Sequence, residues 1–321
     1  MVITNNAGYP EALVKAVSND NYSRGEGVDR SVTGLLSPPR QAALKEIYGD
    51  QITEDVSDRT YALYGQLVHL LLERAGEQSR NALQVYSTVR NEERLYAEVN
   101  GWKISGQTDT LTLTEDQRTW IISDYKFVTS YKFKREYSGE LVIPEEYEQQ
   151  LNMYAYLLRE NGFKVDSLKI VAIYRDWSKL EAKRDKNYPQ LGAETHDVPL
   201  WTEERAIAFI EERVQLHQDA MAGDMLGGFS EEELPECTDD ERWAKKDSWA
   251  LKTTRDSKRA RKVFYGSKAR AVAWALDPNN KVKSGFVVEH RPGANVRCEN
   301  YCVVSEFCEQ FKSLQAFQKA V

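Results

Sequence analysis

The sequence predicts an α/β fold in which a mixed central sheet is flanked by helices. Segments with apolar residues at helical spacing alternate with segments rich in β-branched and aromatic residues at every second position. The chain has 321 residues, of which 41% are hydrophobic, so it is long enough to bury one large core and a sizeable insertion.

The predicted elements follow in a clear order. Residues 1–60 are expected to form helical N-terminal elements, followed by an amphipathic helix from Thr60 to Gly76. Between about Leu83 and Phe127, four successive strands are predicted, LYAEV, WKISG, TLTLT and TWIISDYKF, separated by Asn-Gly and Glu-Asp turns. A helix that begins near Pro144 and a long helix capped by Thr202 flank another strand.

The C-terminal part of the chain has a different character. Residues 61–236 form the predicted core. Residues 237–321 are expected to hold a small basic αβ insertion of two strands and a helix, and a cysteine loop that runs into a terminal helix. Between Arg242 and Arg297 there are 15 Lys and Arg residues against 4 Asp and Glu, although the whole chain carries a net charge of −7. A basic segment in an otherwise acidic chain is typical of an enzyme that acts on nucleic acid. A basic surface that only faces solvent explains the charge equally well.

No apolar run approaches the roughly 18 residues that a membrane span needs, and the first residues lack the basic start and apolar stretch of a signal peptide. We therefore expect a cytoplasmic protein without a membrane partner.

The chemistry is predicted to lie on two adjacent strands. Asp109 lies in one, and Asp124 and Lys126 lie two positions apart in the next, so the latter two project from the same face. Carboxylates that are brought together repel each other unless a cation neutralises them. Oxygen ligands from Asp109, Asp124 and the backbone carbonyl of Tyr125 suit Mg²⁺ or Mn²⁺. An Asp-x-Lys string by itself is more often an exposed ion pair.

Four motifs together resemble the PD-(D/E)XK nucleases, in particular their RecB-like exonuclease branch. Gly65 to His69 resembles the helical G-x-x-V-H motif, Gly106 to Asp109 the G-x-x-D motif, Asp124 to Lys126 the (D/E)-x-K motif, and Gln150 to Tyr154 the Q-x-x-x-Y helix. The resemblance implies a restriction-endonuclease-like arrangement of the sheet. Its motifs cover residues 65–154 and again 298–308.

The resemblance also implies a role for each matched residue. His69 would be an additional metal ligand, Asp109 and Asp124 would hold the metal, and Lys126 would position a water or steady the transition state. Gln150 and Tyr154, four residues apart on one helix face, would hold DNA phosphate or brace Lys126.

The four cysteines of the chain can be grouped in one set. Cys298, Cys302 and Cys308 form a C-x3-C-x5-C pattern, and Cys237 lies some sixty residues earlier. Four thiolates suit a 4Fe-4S cluster or a structural Zn²⁺, and buried free thiols are the alternative. The resemblance favours iron-sulfur, although in that family the distant cysteine commonly precedes the core beside a Pro-Arg pair, where this chain has Pro38 before Pro39 and Arg40.

These observations predict a metal-dependent deoxyribonuclease. They favour an exonuclease that acts on single strands or DNA ends over a sequence-specific endonuclease. Recombination, repair or phage DNA processing is the expected setting, with a single-strand annealing or recombination protein as a partner and the host cytoplasm as the location if a phage encodes it. Two other classes fit the same residues: a catalytically inactive DNA-binding or assembly protein, and a nuclease that acts on RNA. Aromatic residues between Trp243 and Trp274 suit either base stacking or the core of the insertion.

Overall fold

The computed structural model describes residues 1–18, 25–82, 88–116, 118–133, 141–225 and 231–320. The helices are α1 (Glu11–Ser18), α2 (Val32–Leu36), α3 (Pro39–Ile47), α4 (Val56–Ala82), α5 (Glu145–Glu160), α6 (Lys179–Arg184), α7 (Glu203–Met225), α8 (Lys268–Leu276), α9 (Val296–Asn300) and α10 (Glu309–Ala320). The strands are β1 (Val2–Thr4), β2 (Arg30–Ser31), β3 (Thr53–Asp55), β4 (Val89–Val99), β5 (Trp102–Leu113), β6 (Trp120–Val128), β7 (Val165–Tyr174), β8 (Ala193–Val198), β9 (Ala244–Lys245), β10 (Ser248–Lys252), β11 (Lys262–Tyr265), β12 (Val287–Arg291) and β13 (Ala294–Asn295).

The chain forms two compact units. The larger unit comprises residues 1–37 and 53–222, and the smaller unit comprises residues 38–52 and 223–321.

The larger unit is an α/β structure built on a mixed sheet, as the sequence predicts. Strand β5 pairs antiparallel with β4 along one edge, and its other edge pairs with β2 and β6. Strand β7 runs parallel to β6 after the crossover through α5, and β8 closes the order antiparallel to β7. The β6–α5–β7 connection explains why the sheet is mixed, because parallel neighbours need a crossover.

A two-residue turn joins β4 to β5, as the Asn-Gly pair predicts. Asn100 and Gly101 have positive φ values of 47° and 78°, and Val99 pairs with Trp102 across the turn. Both central residues of a type I′ turn need positive φ, which Asn and Gly adopt most easily. This turn sets the register of β4 against β5, and that register positions the site described below.

Some of the predicted elements are wrong in detail. The segments WKISG and TLTLT, expected as two strands, form the single strand β5, because pairing with β4 continues across the polar residues between them. The helix expected to end at Gly76 continues to Ala82. Residues 1–60 contain the short strands β1, β2 and β3 besides helices. The predicted strand region also began near Leu83, which lies outside the described residues.

The main core of the larger unit lies between the sheet and its helices. Fully buried members include Ile104, Leu111, Ile122, Leu157 and Ile170. Gly106 of β5 allows helix α5 to approach closely, since a Cβ there would lie 2.6 Å from Leu157 Cδ1. A larger residue at this position would push α5 away from the strand, and α5 carries two of the predicted site residues.

A buried histidine joins α7 to α2 within this unit. His217 is 1% exposed, and its Nε2 lies 3.1 Å from the carbonyl oxygen of Leu35 and 3.2 Å from that of Ser37. Its Nδ1 has no hydrogen-bond partner among the described residues. Burial, with the nearby charge of Arg213, lowers the pKa of His217 to about 4.

We expect His217 to make the stability of the protein depend on pH. In the unfolded chain its pKa returns to about 6.5, so the unfolded state binds the proton first and stability falls as the pH drops from 6.5 to 4. A shift of this size corresponds to a loss of about 3 kcal/mol. Denaturant unfolding at pH 7 and pH 4.5 should show a smaller difference in His217→Gln than in the wild type. An equal difference in both proteins would contradict this role.

The smaller unit contains a three-stranded antiparallel sheet in the order β11, β10, β12, with α8 packed on it. The sequence predicted two strands and a helix here, and β12 was missed. Its core contains Leu251, Phe264 and Ala271, against which Trp249 and Trp274 pack. Most aromatic side chains of the basic segment therefore form the core of this sheet, whereas Trp243 and Tyr265 are exposed.

Among the described residues, none of the helices combines the length and apolar character needed to cross a bilayer.

Candidate functional site

Three acidic residues lie at one position across neighbouring strands of the larger unit. In the β4–β5 register, Asn91 pairs with Thr110 and Glu93 with Thr108, so Glu92 lies opposite Asp109. In the β5–β6 register, the last pair is Thr110 with Ser123, and the next position sets Asp109 opposite Asp124. Asp109 therefore lies between the other two carboxylates.

At the end of the β5–β6 ladder, the Asp109 side chain takes the place of a backbone hydrogen-bond acceptor. The backbone N–H of Tyr125 donates a 2.7 Å hydrogen bond to Asp109 Oδ2. This contact fixes the carboxylate beside β6 and leaves its other oxygen, Oδ1, at 3.6 Å from His69 Nδ1 on α4. The predicted contribution of the Tyr125 carbonyl stays a prediction, since the contact that the structure shows is made by its N–H.

His69, Glu92 and Asp109 form a group with the spacing of a metal site. One ligand atom from each lies within 4.8 Å of the others. They line a cavity together with Asn91, Thr110, Tyr125 and Leu72, and its space of about 190 Å³ is partly open to solvent. Asp124 and Lys126 are not part of this lining and lie beside it on β6.

The electrostatics of this group favour a cation. Burial and the neighbouring charge of Asp124 raise the pKa of Asp109 well above its ordinary value. Burial also lowers the pKa of His69, which favours the neutral imidazole that binds metals. A dication in the cavity would allow the carboxylates of Asp109 and Glu92 to be ionised together. Two carboxylates with one imidazole therefore fit Mn²⁺ or Mg²⁺.

Asp124 and Lys126 form a buried ion pair next to the cavity. Lys126 Nζ lies 2.6 Å from Asp124 Oδ2, and the Asp124 side chain is 3% exposed. The Lys126 ammonium therefore compensates the charge of the Asp124 carboxylate, which would be costly to bury alone.

Gln150 and Tyr154 lie behind Lys126 and position it. Lys126 Nζ donates a 2.9 Å hydrogen bond to Gln150 Oε1, and Gln150 Nε2 donates one of 2.9 Å to the Tyr154 hydroxyl. Both side chains are buried, with 9% and 5% exposure. Of the two predicted roles, bracing Lys126 agrees with these contacts, because buried groups are poorly placed to hold a phosphate.

Glu92 was missed at the sequence level. It stands in a run of charged residues with no motif around it, and Glu98, six positions further along β4, is exposed. The unusual feature of Glu92 is its positive φ of 52°, which few residues without a special constraint adopt. Its Oε2 accepts a 2.8 Å hydrogen bond from Gln107 Nε2. Only the fold reveals both features.

We expect Glu92 to contribute directly to metal affinity. Glu92→Gln should raise the dissociation constant for Mn²⁺ by at least about tenfold, because it removes one anionic ligand. Glu98→Gln is the matched control, since it changes the same residue type on the exposed part of the same strand. Calorimetric titration of each protein with MnCl₂ measures the effect. Equal affinities for the two variants would remove Glu92 from the metal site.

The four cysteines of the smaller unit surround a second cavity. Cys237, Cys298, Cys302 and Cys308 all line a space of about 310 Å³, part of which is open to solvent. Gln310 of α10 holds Cys237 in place by accepting from its N–H and donating to its carbonyl, both at 2.9 Å. The structure therefore brings together the set that the sequence predicted, including the distant Cys237.

The cysteine thiols are costly to ionise without a metal. Burial raises the pKa of Cys237 to about 12 and that of Cys298 to about 11. Arg40 of α3, which is buried, donates from Nε to Cys308 Sγ at 3.3 Å and forms an ion pair with Glu231. A guanidinium beside one sulfur supplies part of the positive charge that a thiolate set requires.

The spacing of the sulfurs is wider than zinc requires. Among the described residues, the three-ligand group within 4.8 Å is the one at His69, so no three cysteine sulfurs are that close together. Zn–S bonds of about 2.3 Å would draw the sulfurs to within about 4 Å of one another. Binding of a single zinc ion would therefore require these side chains to move closer together.

Comparison with known proteins gives little further information. No protein-family model matches the chain, and no curated protein matches it. Seventeen chains of solved structures match. One of them, described as the crystal structure of SSO0001, is 19% identical, with 65% of this chain and 86% of that chain covered at a TM-score of 0.41. A similarity at this level says nothing about function. The function therefore has to be inferred from the residues of the site.

Proposed function

We propose that this protein is a divalent-metal-dependent deoxyribonuclease of the PD-(D/E)XK type, with a restriction-endonuclease-like core of the RecB-like branch. The observation that carries the proposal is the meeting of Asp109, Asp124 and Lys126 at one end of the β5–β6 ladder, beside a cavity that His69 and Glu92 complete. Charged groups of this kind are costly to bury unless a ligand compensates them.

The protein residues divide into ligands and positioning groups. Asp109, Glu92 and His69 would hold one dication, with Asp124 at its edge, and the dication would supply Lewis-acid stabilisation of the phosphate and acidify a water. Lys126 would stabilise the charge that develops on the scissile phosphate. Gln150 and Tyr154 hold the Lys126 amine at its position by the hydrogen bonds described above.

We propose DNA as the substrate, in the form of single strands or ends, with exonucleolytic cleavage in recombination, repair or phage DNA processing. The basic segment from Arg242 to Arg297 supports a nucleic-acid substrate. Its core aromatics support no specific base contacts, since most of them are packed against one another. A single-strand annealing protein is the partner that such processing would need, and the cytoplasm is the proposed location.

We also propose a 4Fe-4S cluster on Cys237, Cys298, Cys302 and Cys308, with Zn²⁺ as the alternative. The common cavity that the four cysteines line supports a shared metal centre. Its role would be structural. It would tie Cys237 to the loop that leads into α10, and so would hold the smaller unit together.

Incubation of the full chain with end-labelled single-stranded DNA, double-stranded DNA and RNA tests the proposal. We expect cleavage of DNA with Mn²⁺ or Mg²⁺, none with EDTA, and none with Asp109→Asn. Preferential degradation of RNA would identify the alternative substrate. Binding of DNA without cleavage under any metal condition would identify a non-catalytic binding protein, and either result would overturn the proposal.

A further inference from the structure

A group of exposed aromatic side chains lies next to the proposed metal site. Tyr61 and Tyr64 of α4 are 69% and 52% exposed, although tyrosine usually covers much of its ring in a folded protein. Their ring centroids are 6.5 Å apart, and the Tyr64 ring lies 6.3 Å from that of Phe127 on β6. We call Tyr61, Tyr64, Phe127 and Arg175 the aromatic platform.

Arg175 adds a positive charge to this platform. Its guanidinium carbon lies 5.3 Å from the centroid of the Tyr61 ring, in a cation–π arrangement. The residue is exposed at the end of β7, and within the described residues no carboxylate forms an ion pair with it. An exposed guanidinium of this kind favours an anionic ligand over an apolar partner surface.

The platform lies on the same two elements as the proposed site. Tyr64 precedes His69 by five residues in α4, about 7.5 Å along the helix axis. Phe127 follows Lys126 in β6, so its side chain projects to the opposite face of the sheet from that of Lys126. A strand that runs along α4 from the cavity would reach Tyr64 at a separation of about two nucleotides.

We propose that Tyr61, Tyr64, Phe127 and Arg175 form a stacking subsite for unpaired nucleotides, which selects single-stranded DNA next to the metal site. The inference rests on the proposed nuclease function, because it takes DNA as the ligand. Flat tyrosine faces stack on bases of any sequence, and Arg175 attracts the adjoining phosphate. Paired bases are already stacked in a duplex and cannot occupy the subsite, so the subsite discriminates strands by their pairing state.

The test measures binding in EDTA, so that it does not depend on cleavage. The full chain is titrated into a fluorescein-labelled oligothymidylate and into an abasic oligomer with the same number of phosphates, and fluorescence anisotropy is followed. The wild type should prefer the oligothymidylate by about tenfold. Tyr61→Ala/Tyr64→Ala should lose that preference while its affinity for the abasic oligomer stays unchanged.

The matched control is Tyr61→Phe/Tyr64→Phe, which keeps the rings and should retain the preference. Because both side chains are exposed, all these proteins should unfold at similar temperatures. A preference that survives in the alanine variant would overturn the inference. It would also be overturned if the wild type proved to be a dimer that the alanine variant dissociates without any change in DNA binding.

The two proposals fail in different ways. If the wild type prefers the oligothymidylate but cleaves nothing with any metal, the nuclease function fails and the stacking subsite stands as a binding site. If the wild type cleaves DNA but shows no preference for bases over the abasic backbone, the subsite fails and the nuclease function stands.

Discussion

Lys126→Met is expected to lower the rate of DNA cleavage by at least about a hundredfold, because in the proposed function its ammonium stabilises the charge that develops on the reacting phosphate. The affinity for Mn²⁺ should not fall, since the amine is a neighbour and not a ligand of the dication. Single-turnover cleavage measures the first quantity and calorimetry the second. A variant that cleaves at the wild-type rate would remove Lys126 from the catalytic machinery.

The same substitution should destabilise the metal-free protein. Asp124 is 2% exposed, and Lys126 Nζ lies 2.6 Å from its Oδ2. Removing one partner of a buried ion pair leaves an uncompensated charge, at a cost of about 3–5 kcal/mol. Urea unfolding in EDTA should show this loss, and MnCl₂ should recover part of it. The double variant Asp124→Asn/Lys126→Met should be more stable than Lys126→Met alone.

Lys169 provides a matched control on the neighbouring strand β7. Lys169 Nζ lies 2.6 Å from Asp197 Oδ1, the same separation, but Asp197 is 83% exposed. Exposed ion pairs contribute about 0–1 kcal/mol. Lys169→Met should therefore change neither cleavage nor stability by a comparable amount. An equal loss of stability in both variants would mean that burial does not increase the contribution of the Asp124–Lys126 pair to folding stability.

Cys308→Ala is expected to abolish the metal content of the smaller unit and to unfold it. Cys308 is buried and lines the cysteine cavity together with the other three sulfurs. In small metal-bound units the binding free energy is also folding free energy. The wild type should be brown, with iron and sulfide in the purified protein, and the variant should be colourless. Limited proteolysis should cut the variant rapidly within residues 231–320.

Ser305→Ala is the control for this experiment. Ser305 lines the same cavity but offers no sulfur, so its substitution should leave colour, iron content and resistance to protease unchanged. Zinc without iron in the wild type would identify the alternative metal. A metal-free wild type that resists protease as a folded unit would identify the cysteines as ordinary buried thiols, and the cluster would be rejected.

Local patterns in the sequence predicted much of what positions the site. The Asn100–Gly101 pair predicted the turn between β4 and β5, and the i, i+4 spacing of Gln150 and Tyr154 predicted a shared helix face. These predictions hold because turn geometry and helical periodicity depend on residues close in sequence. The prediction that β5 would be two strands was wrong because the polar residues of the site interrupt its alternating pattern, while the backbone pairing continues.

The sequence by itself determined the ionisable residues at the centre, Asp109, Asp124 and Lys126, and the grouping of the four cysteines. Only the tertiary structure decided that Glu92 faces Asp109 and that Arg40 contacts Cys308, 268 residues away in the chain. Strand register and long-range packing create these contacts. They depend on how distant segments meet in the fold, which the spacing of residues within one segment does not encode.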